Sequence, residues 1–123
     1  MTIVDAIKSG QILSEMSFNE KVWSVTVKVP KGKVSTYSEI ARYMDCKAYR
    51  AVGQALSRNP FAPDIPCHRI VSSDGSLTGY SSDSGLEEKE QLLVGEGVTV
   101  QRGKVDLNKY MFRISQPALK PLV

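Results

Sequence analysis

The sequence predicts a mostly α-helical fold with a small β element. Three observations predict it: two adjacent runs of helically spaced apolar residues in the middle of the chain, a Leu-, Glu- and Lys-rich run after position 85, and alternating valines only in short stretches. Residues 18 to 29 are ambiguous, because Val25, Val27 and Val29 alternate like a strand whereas Phe18, Val22, Val25 and Val29 have helical spacing. Thr36 followed three residues later by Glu39 has the form of a capping box, in which hydroxyl and carboxylate satisfy free amides at a helix start. Tyr37, Ile40, Ala41 and Met44 then line one face of a short helix that should stop near Asp45 and Cys46. Ala48, Ala51, Val52, Ala55 and Leu56 predict a second helix, ended by the breaker pair Asn59 and Pro60. The pair is equally compatible with a helix-turn-helix and with a plain helical hairpin. Asp74 and Gly75 mark a turn after Ile70 and Val71. Leu86 to Val94 reads as a helix closed by Gly95 or Gly97, and Val98, Val100 and Val105 around Arg102 and Gly103 as a hairpin. Pro117 and Pro121 mark a loose tail.

Composition bounds the function. A chain of 123 residues with 41% hydrophobic and 24% charged side chains fits one ordinary soluble domain without repeats or linkers. No apolar stretch approaches the ~20 residues needed to span a bilayer, and the amino terminus lacks a secretory pattern, so a cytoplasmic protein with no membrane partner is expected. Two cysteines in that setting are expected to be reduced thiols, and with one histidine they are too few for a standard zinc site, so no metal is expected. No phosphate-cradling glycine loop or dinucleotide fingerprint is present, and no cofactor is expected. The net charge is +3, yet residues 31–70 hold seven basic against three acidic side chains. Such a basic middle suits a phosphate backbone and equally an unevenly charged solvated face.

Chemistry concentrates in the run from Ile65 to Ile70, where Cys67 stands beside His68, the only histidine. A thiol is a soft nucleophile only as the thiolate, and at its ordinary pKa of ~8.5 it is mostly protonated near neutrality. Histidine is the side chain whose unperturbed pKa lies in that range. By itself the pair fits several thiol chemistries, and fits a buried cysteine beside a hydrogen-bonded histidine as well.

Four separated landmarks in order, Arg50 to Gly53, Asn59 with Pro60, Pro66 to Arg69, and Glu96 with Gly97, carry a family resemblance. From about Phe18 to Phe112 the chain resembles the catalytic carboxy-terminal domain of O6-alkylguanine-DNA alkyltransferases, the methylated-DNA protein-cysteine methyltransferases. The resemblance implies a winged helix-like helix-turn-helix domain of the alkyltransferase carboxy-terminal type over residues 18–112, with residues 1–17 as an extension and 113–123 as a tail. It implies a monomer that flips O6-alkylguanine out of double-stranded DNA and transfers the alkyl group irreversibly to Cys67, a single-turnover methyltransferase. His68 would act as base through a water, Glu96 would orient it, and Asn59 would tie the second helix to the active-site loop. Tyr37 would assist rotation of the nucleotide and donate to guanine N3, and Arg50 would enter the base stack. Thr36, Ala48, Ala51 and Gly53 would line the DNA face in the minor groove, and Tyr80, Ser81 and Ile70 the base pocket.

The chain departs from the family pattern in places. The amino-terminal domain of most members, with the zinc site some hold there, is expected to be missing. Tyr49 stands at a normally smaller position of the recognition helix, Ala62 where proline is frequent, and Ser82, Asp83, Ser84 and Gly85 replace a glycine-rich lid. Cys46 has no assigned role beyond a small packed thiol. The main rival is the alkyltransferase-like group, which binds alkylated DNA as a damage sensor with the acceptor cysteine replaced, commonly by tryptophan; this chain keeps Cys67. A helix-turn-helix regulator with an incidental Cys-His pair would explain neither Asn59 nor Glu96.

Overall fold

Two short helices and the turn between them form the centre of the molecule. The computed structural model describes residues 2–61, 64–78 and 85–114. Tyr80, Ser81, Ala62, the lid Ser82 to Ser84 and the tail with Pro117 and Pro121 lie outside the described residues.

The ambiguous stretch is helical. Helix α2 spans Phe18–Thr26 and opens on a reciprocal box, with Glu20 N donating to Ser17 Oγ and Ser17 N donating to Glu20 Oε1 at 2.8 Å. Helical spacing prevails over strand alternation because Val22 and Val25, with Val29 in the turn beyond, are fully buried on one side. Each such burial contributes roughly 1.5–3 kcal/mol. Before it lies α1, Ile3–Lys8, capped by Thr2 and Asp5, in a stretch where no element is predicted.

Helix α3 spans Tyr37–Tyr43 and ends at Met44 and Asp45, the latter at φ 56°. The expected box at its start is only half formed. Thr36 Oγ1 accepts from Glu39 N at 3.2 Å, but the Glu39 carboxylate is held by Arg42, Arg113 and the backbone amide of Ile114. Two guanidinium groups and an amide outcompete one helix-start donor. Helix α4, Tyr49–Ser57, follows with Ala48 as a cap residue that makes no side-chain bond. Its Val52, Ala55 and Leu56 face α2 and α3, closing the helix-turn-helix.

Two small sheets attach the rest. Strand β1, Ser35–Thr36, pairs parallel with β2, Ile70–Val71, in the register Ser35↔Ile70 and Thr36↔Val71. This pairing ties the start of α3 to the exit of the Cys67–Arg69 turn. The expected turn is present: Ser76 N donates to Asp74 Oδ1, and Gly75 has φ 88° with Val105 O pressed against the place a Cβ would take. Helix α5 spans Leu86–Gly95. It closes with Gly97 at φ 92°, Gly97 N on Val94 O and Val98 N on Leu93 O, the paired bonds of a Schellman motif. Strands β3, Val100–Gln101, and β4, Lys104–Val105, form the expected hairpin, with both Arg102 and Gly103 at positive φ as a type I′ turn requires. A short α6, Leu107–Tyr110, leads back to Val34, which bridges Met111.

Candidate active site

The Schellman closure of α5 puts Glu96 at the helix C-cap, and its carboxylate reaches the turn that carries Cys67 and His68. That turn is a single 3-10 turn, Cys67–Arg69, entered through Pro66. His68 Nε2 lies 2.9 Å from Glu96 Oε2, while Arg69 grips the same carboxylate with Nε on Oε1 at 2.9 Å and Nη2 on Oε2 at 2.7 Å. Arg69 Nη1 also donates to Val29 O, so the turn after α2 shares in holding the group. Burial alone pushes the Glu96 carboxyl up, but the bonds and charges of Arg69 and His68 together hold it below the usual carboxylate range. Since an ionised carboxylate only accepts, Nε2 of His68 carries the proton and Nδ1 presents a lone pair. That Nδ1 is buried and has no hydrogen-bond partner among the described residues. Burial, aided by the charges of Arg69 and Lys89, holds the His68 pKa below its ordinary value against the pull of Glu96. The ring is thus neutral near pH 7 and able to take a proton.

Cys67 is 3% exposed. Burial pushes its thiol up, while a hydrogen bond with Asn59 and the charge of Lys89 pull it down. Asn59 is buried at the end of α4. Its Nδ2 donates to Ile65 O at 2.8 Å and its Oδ1 accepts from Phe61 N at 2.8 Å, so just past α4 it fixes the chain at Phe61 and Ile65 on the way to Cys67. Tyr37, half-buried, joins the same cluster. Its hydroxyl donates to Thr78 O at 3.0 Å and lies 2.8 Å from Thr78 Oγ1. Burial first, and then the neighbouring Cys67, raise its pKa, so the phenol stays protonated.

Three residues that sequence reasoning missed complete the cluster. Arg69 was legible only as part of the motif run. Lys89 is fully buried, with Nζ donating to Ile70 O and Thr78 O, each at 2.6 Å, and desolvation lowers its pKa from 10.5 to about 8. Its signal lay in the helix pattern: Lys89, Leu93 and Glu96 fall at i, i+4 and i+7, a lysine on the inward face. Thr78 had no local signal, because its partner Tyr37 is far away in the chain.

The remaining expected residues lie elsewhere in the molecule. Ile70 is fully buried in the core beside Cys67, with its carbonyl toward Lys89. Thr36 is 3% exposed and its hydroxyl caps α3, so its side chain is directed to the fold and not to an outer face. Ala48 and Arg50 are exposed at the start of α4, Ala51 is half-buried, and a Cβ at Gly53 would meet nothing within 4 Å. Tyr49 stands out beside Arg50 at 51% exposure. These positions put one arginine among small residues and Tyr49 at the start of α4, the helix that Asn59 follows. A surface hollow of about 690 Å³ on the outer side of α5, near Leu86, Glu90 and Val94, contains none of these groups.

Residues 17–98 match the model of the 6-O-methylguanine DNA methyltransferase, DNA binding domain. A methylated-DNA–protein-cysteine methyltransferase of Methanosarcina mazei is 51% identical over 77 residues, covering 62% of this chain and 48% of that protein. The chain spans about half the length of such curated methyltransferases. The DNA base-flipping protein of Escherichia coli is 36% identical over 98 residues, covering 78% of this chain and 74% of its own length. Among solved structures, S. pombe Atl1 in complex with damaged DNA containing O6-carboxymethylguanine is similar with a TM-score of 0.69 and 34% identity, over 77% of this chain and 94% of that one. With two thirds of its length inside one family model and its helix-turn-helix matching those structures, the chain belongs to the 6-O-methylguanine DNA methyltransferase family.

Proposed function

We propose that this chain repairs DNA by taking the alkyl group from O6 of guanine onto Cys67, in a single turnover, with residues 18–112 as the working unit. The observation that carries this reading is the neutral His68, fixed by Glu96 through Nε2, with its buried Nδ1 free to accept a proton, in the same turn as Cys67. A thiol of raised pKa needs such a base, and a water between the two side chains would pass the proton. The sulfur then attacks the alkyl carbon, the C–O bond breaks, and guanine leaves with the electron pair. The product is a thioether that water and cellular thiols do not readily reverse, so no cofactor is needed to regenerate it. An atom inside a stacked duplex is out of reach, so the base must be extruded, at a cost of a few kcal/mol. Exposed Arg50 on α4 is suited to fill the vacated stack, with Ala48, Ala51 and Gly53 letting the helix approach closely. Tyr80 and Ser81 complete the base pocket in this reading. A cytoplasmic setting keeps the acceptor reduced; both cysteines are free thiols, and no described helix is long and apolar enough to cross a membrane.

The sensor reading is favoured by the base-flipping relative and by the similarity to Atl1 bound to damaged DNA. Cys67, in one turn with His68 and influenced by Asn59, supports transfer over sensing. The test is incubation with an O6-methylguanine duplex followed by mass spectrometry of the Cys67 peptide. One added methyl, absent in Cys67→Ser, is expected; binding without transfer would leave the sensor.

A further inference from the structure

Beyond the thiol, three hydroxyl groups are joined in series. Ser72 Oγ lies 3.2 Å from Thr78 Oγ1, and Thr78 Oγ1 lies 2.8 Å from Tyr37 Oη. Tyr37 has one proton, and it points to Thr78 O at 3.0 Å. With that proton committed, the bond at 2.8 Å runs the other way, from Thr78 Oγ1 to Tyr37 Oη, and by the same logic Ser72 donates to Thr78 Oγ1. The directions are therefore consistent along the series, Ser72 to Thr78 to Tyr37: Thr78 Oγ1 and Tyr37 Oη each accept one bond and donate one, and Ser72 Oγ donates. The Thr78 carbonyl also accepts Lys89 Nζ at 2.6 Å, which fixes the peptide that carries the hydroxyl. Ser72, Thr78 and Tyr37 are all half-buried, and Tyr37 packs against the core cluster that holds Cys67, so the series joins partly exposed hydroxyls to the edge of the thiol's surroundings.

We propose that Ser72 and Thr78 form a proton relay that recharges Tyr37 as it protonates the departing guanine. This rests on the transfer reading above and concerns the leaving group, whereas His68 and Glu96 serve the nucleophile. When sulfur takes the alkyl carbon, guanine departs with the electron pair of the broken C–O bond. Tyr37 turns its proton from the Thr78 carbonyl to a ring nitrogen of that anion and takes the proton of Thr78 Oγ1. Thr78 takes that of Ser72, and Ser72 takes one from solvent water. The thiol proton leaves through His68, so one proton enters at Ser72 for each that leaves at His68, and charge balances. Tyr37 touches the base and is the catalytic residue; Thr78 and Ser72 are positioning residues that act through it.

The test separates the two halves of the reaction. Single-turnover methyl transfer from an O6-methylguanine duplex is compared with alkylation of Cys67 by iodoacetamide, which releases iodide and needs no proton on the leaving group. Thr78→Val, which keeps the shape and removes the hydroxyl, should slow methyl transfer about tenfold and leave the iodoacetamide rate unchanged. Thr78→Ser should restore transfer, and Ser72→Ala should slow it less than Thr78→Val. A Thr78→Val protein that transfers at the wild-type rate overturns the relay, as does one that slows equally in both reactions or a Thr78→Ser that fails to rescue. A wild type that reacts with iodoacetamide but never with the duplex removes the transfer reading, and the relay with it.

Discussion

His68 and Glu96 meet at 2.9 Å between Nε2 and Oε2, and the same carboxylate oxygen receives Arg69 Nη2 at 2.7 Å. One oxygen thus balances a base and a permanent cation. In Glu96→Gln the anion is gone, the tautomer of His68 is no longer dictated, and the carboxylate that raises the His68 pKa is removed. Methyl transfer should fall by roughly 10- to 100-fold. Because His68 works as the neutral ring and its pKa lies below 6.5, the wild-type rate should rise with pH through a midpoint under that value. The midpoint in Glu96→Gln should lie lower still, on a lower plateau. A rate–pH profile of both proteins checks this, and an unshifted midpoint would refute the coupling.

Lys89 predicts a pH-dependent stability of definite sign. Its pKa is about 8 in the folded chain against 10.5 ordinarily. Below about 8 both folded and unfolded chains hold the proton and the cost of burying the charge is fully felt. Between about 8 and 10.5 the unfolded chain still holds a proton that the folded one has lost, so the stability contribution rises with pH. The raised Cys67 thiol acts in the opposite direction at alkaline pH in wild type and in Lys89→Met alike, so the difference between the two proteins reads chiefly the lysine. Urea denaturation should show the wild type gaining on Lys89→Met by about 3 kcal/mol from pH 7 to 10.5. A flat difference curve would contradict this. The same variant should make Cys67 less reactive, since it removes a charge that lowers the thiol pKa.

Arg50 is exposed at the start of α4, away from the thiol. Arg50→Ala should therefore lower methyl transfer from duplex strongly, by about tenfold or more given a base-flipping cost of a few kcal/mol, and hardly change reaction with free O6-methylguanine base. Measuring both rates side by side checks it. Equal losses would count against entry of Arg50 into the stack.

The legible parts of the fold and site were those written in local pattern. The Pro66 to Arg69 run and Glu96 with Gly97 could be read because a motif and a helix stop each lie within a few residues, and Gly97 is what aims Glu96. The helix α2 was also written locally, in Ser17 and Glu20, but competing valine alternation hid it. Strands β1 and β2 have two residues each, too few for any periodicity to register. Thr78 could not be found because a single hydroxyl carries no spacing, and its meaning comes from Tyr37 across the fold. Lys89 carried no mark of its own in a Leu-, Glu- and Lys-rich run; only its alignment with Leu93 and Glu96 distinguishes it.

The amino-terminal helix was the least legible element, and it bears directly on the active-site loop. Ala6, Ile7 and Met16 form a buried cluster with Ile65, two residues before Cys67, and Phe61 and Trp23 pack against its edge with their rings at 82°. Trp23 Nε1 in turn donates to Ala55 O at 2.8 Å, so the recognition helix leans on the same support. The segment from Asn59 to Cys67 is thus held from inside by Asn59 and from outside by α1. Ile7→Ala leaves a cavity under Ile65 and should destabilise the fold by roughly 2–4 kcal/mol. If α1 braces the loop, Ile7→Ala should also slow iodoacetamide alkylation of Cys67 and methyl transfer together, at a temperature where circular dichroism shows the variant fully folded. Asn59→Ala, which loosens the loop from within, should give the same paired loss. A destabilised Ile7→Ala with wild-type reactivity at Cys67 would reduce α1 to a stability element alone.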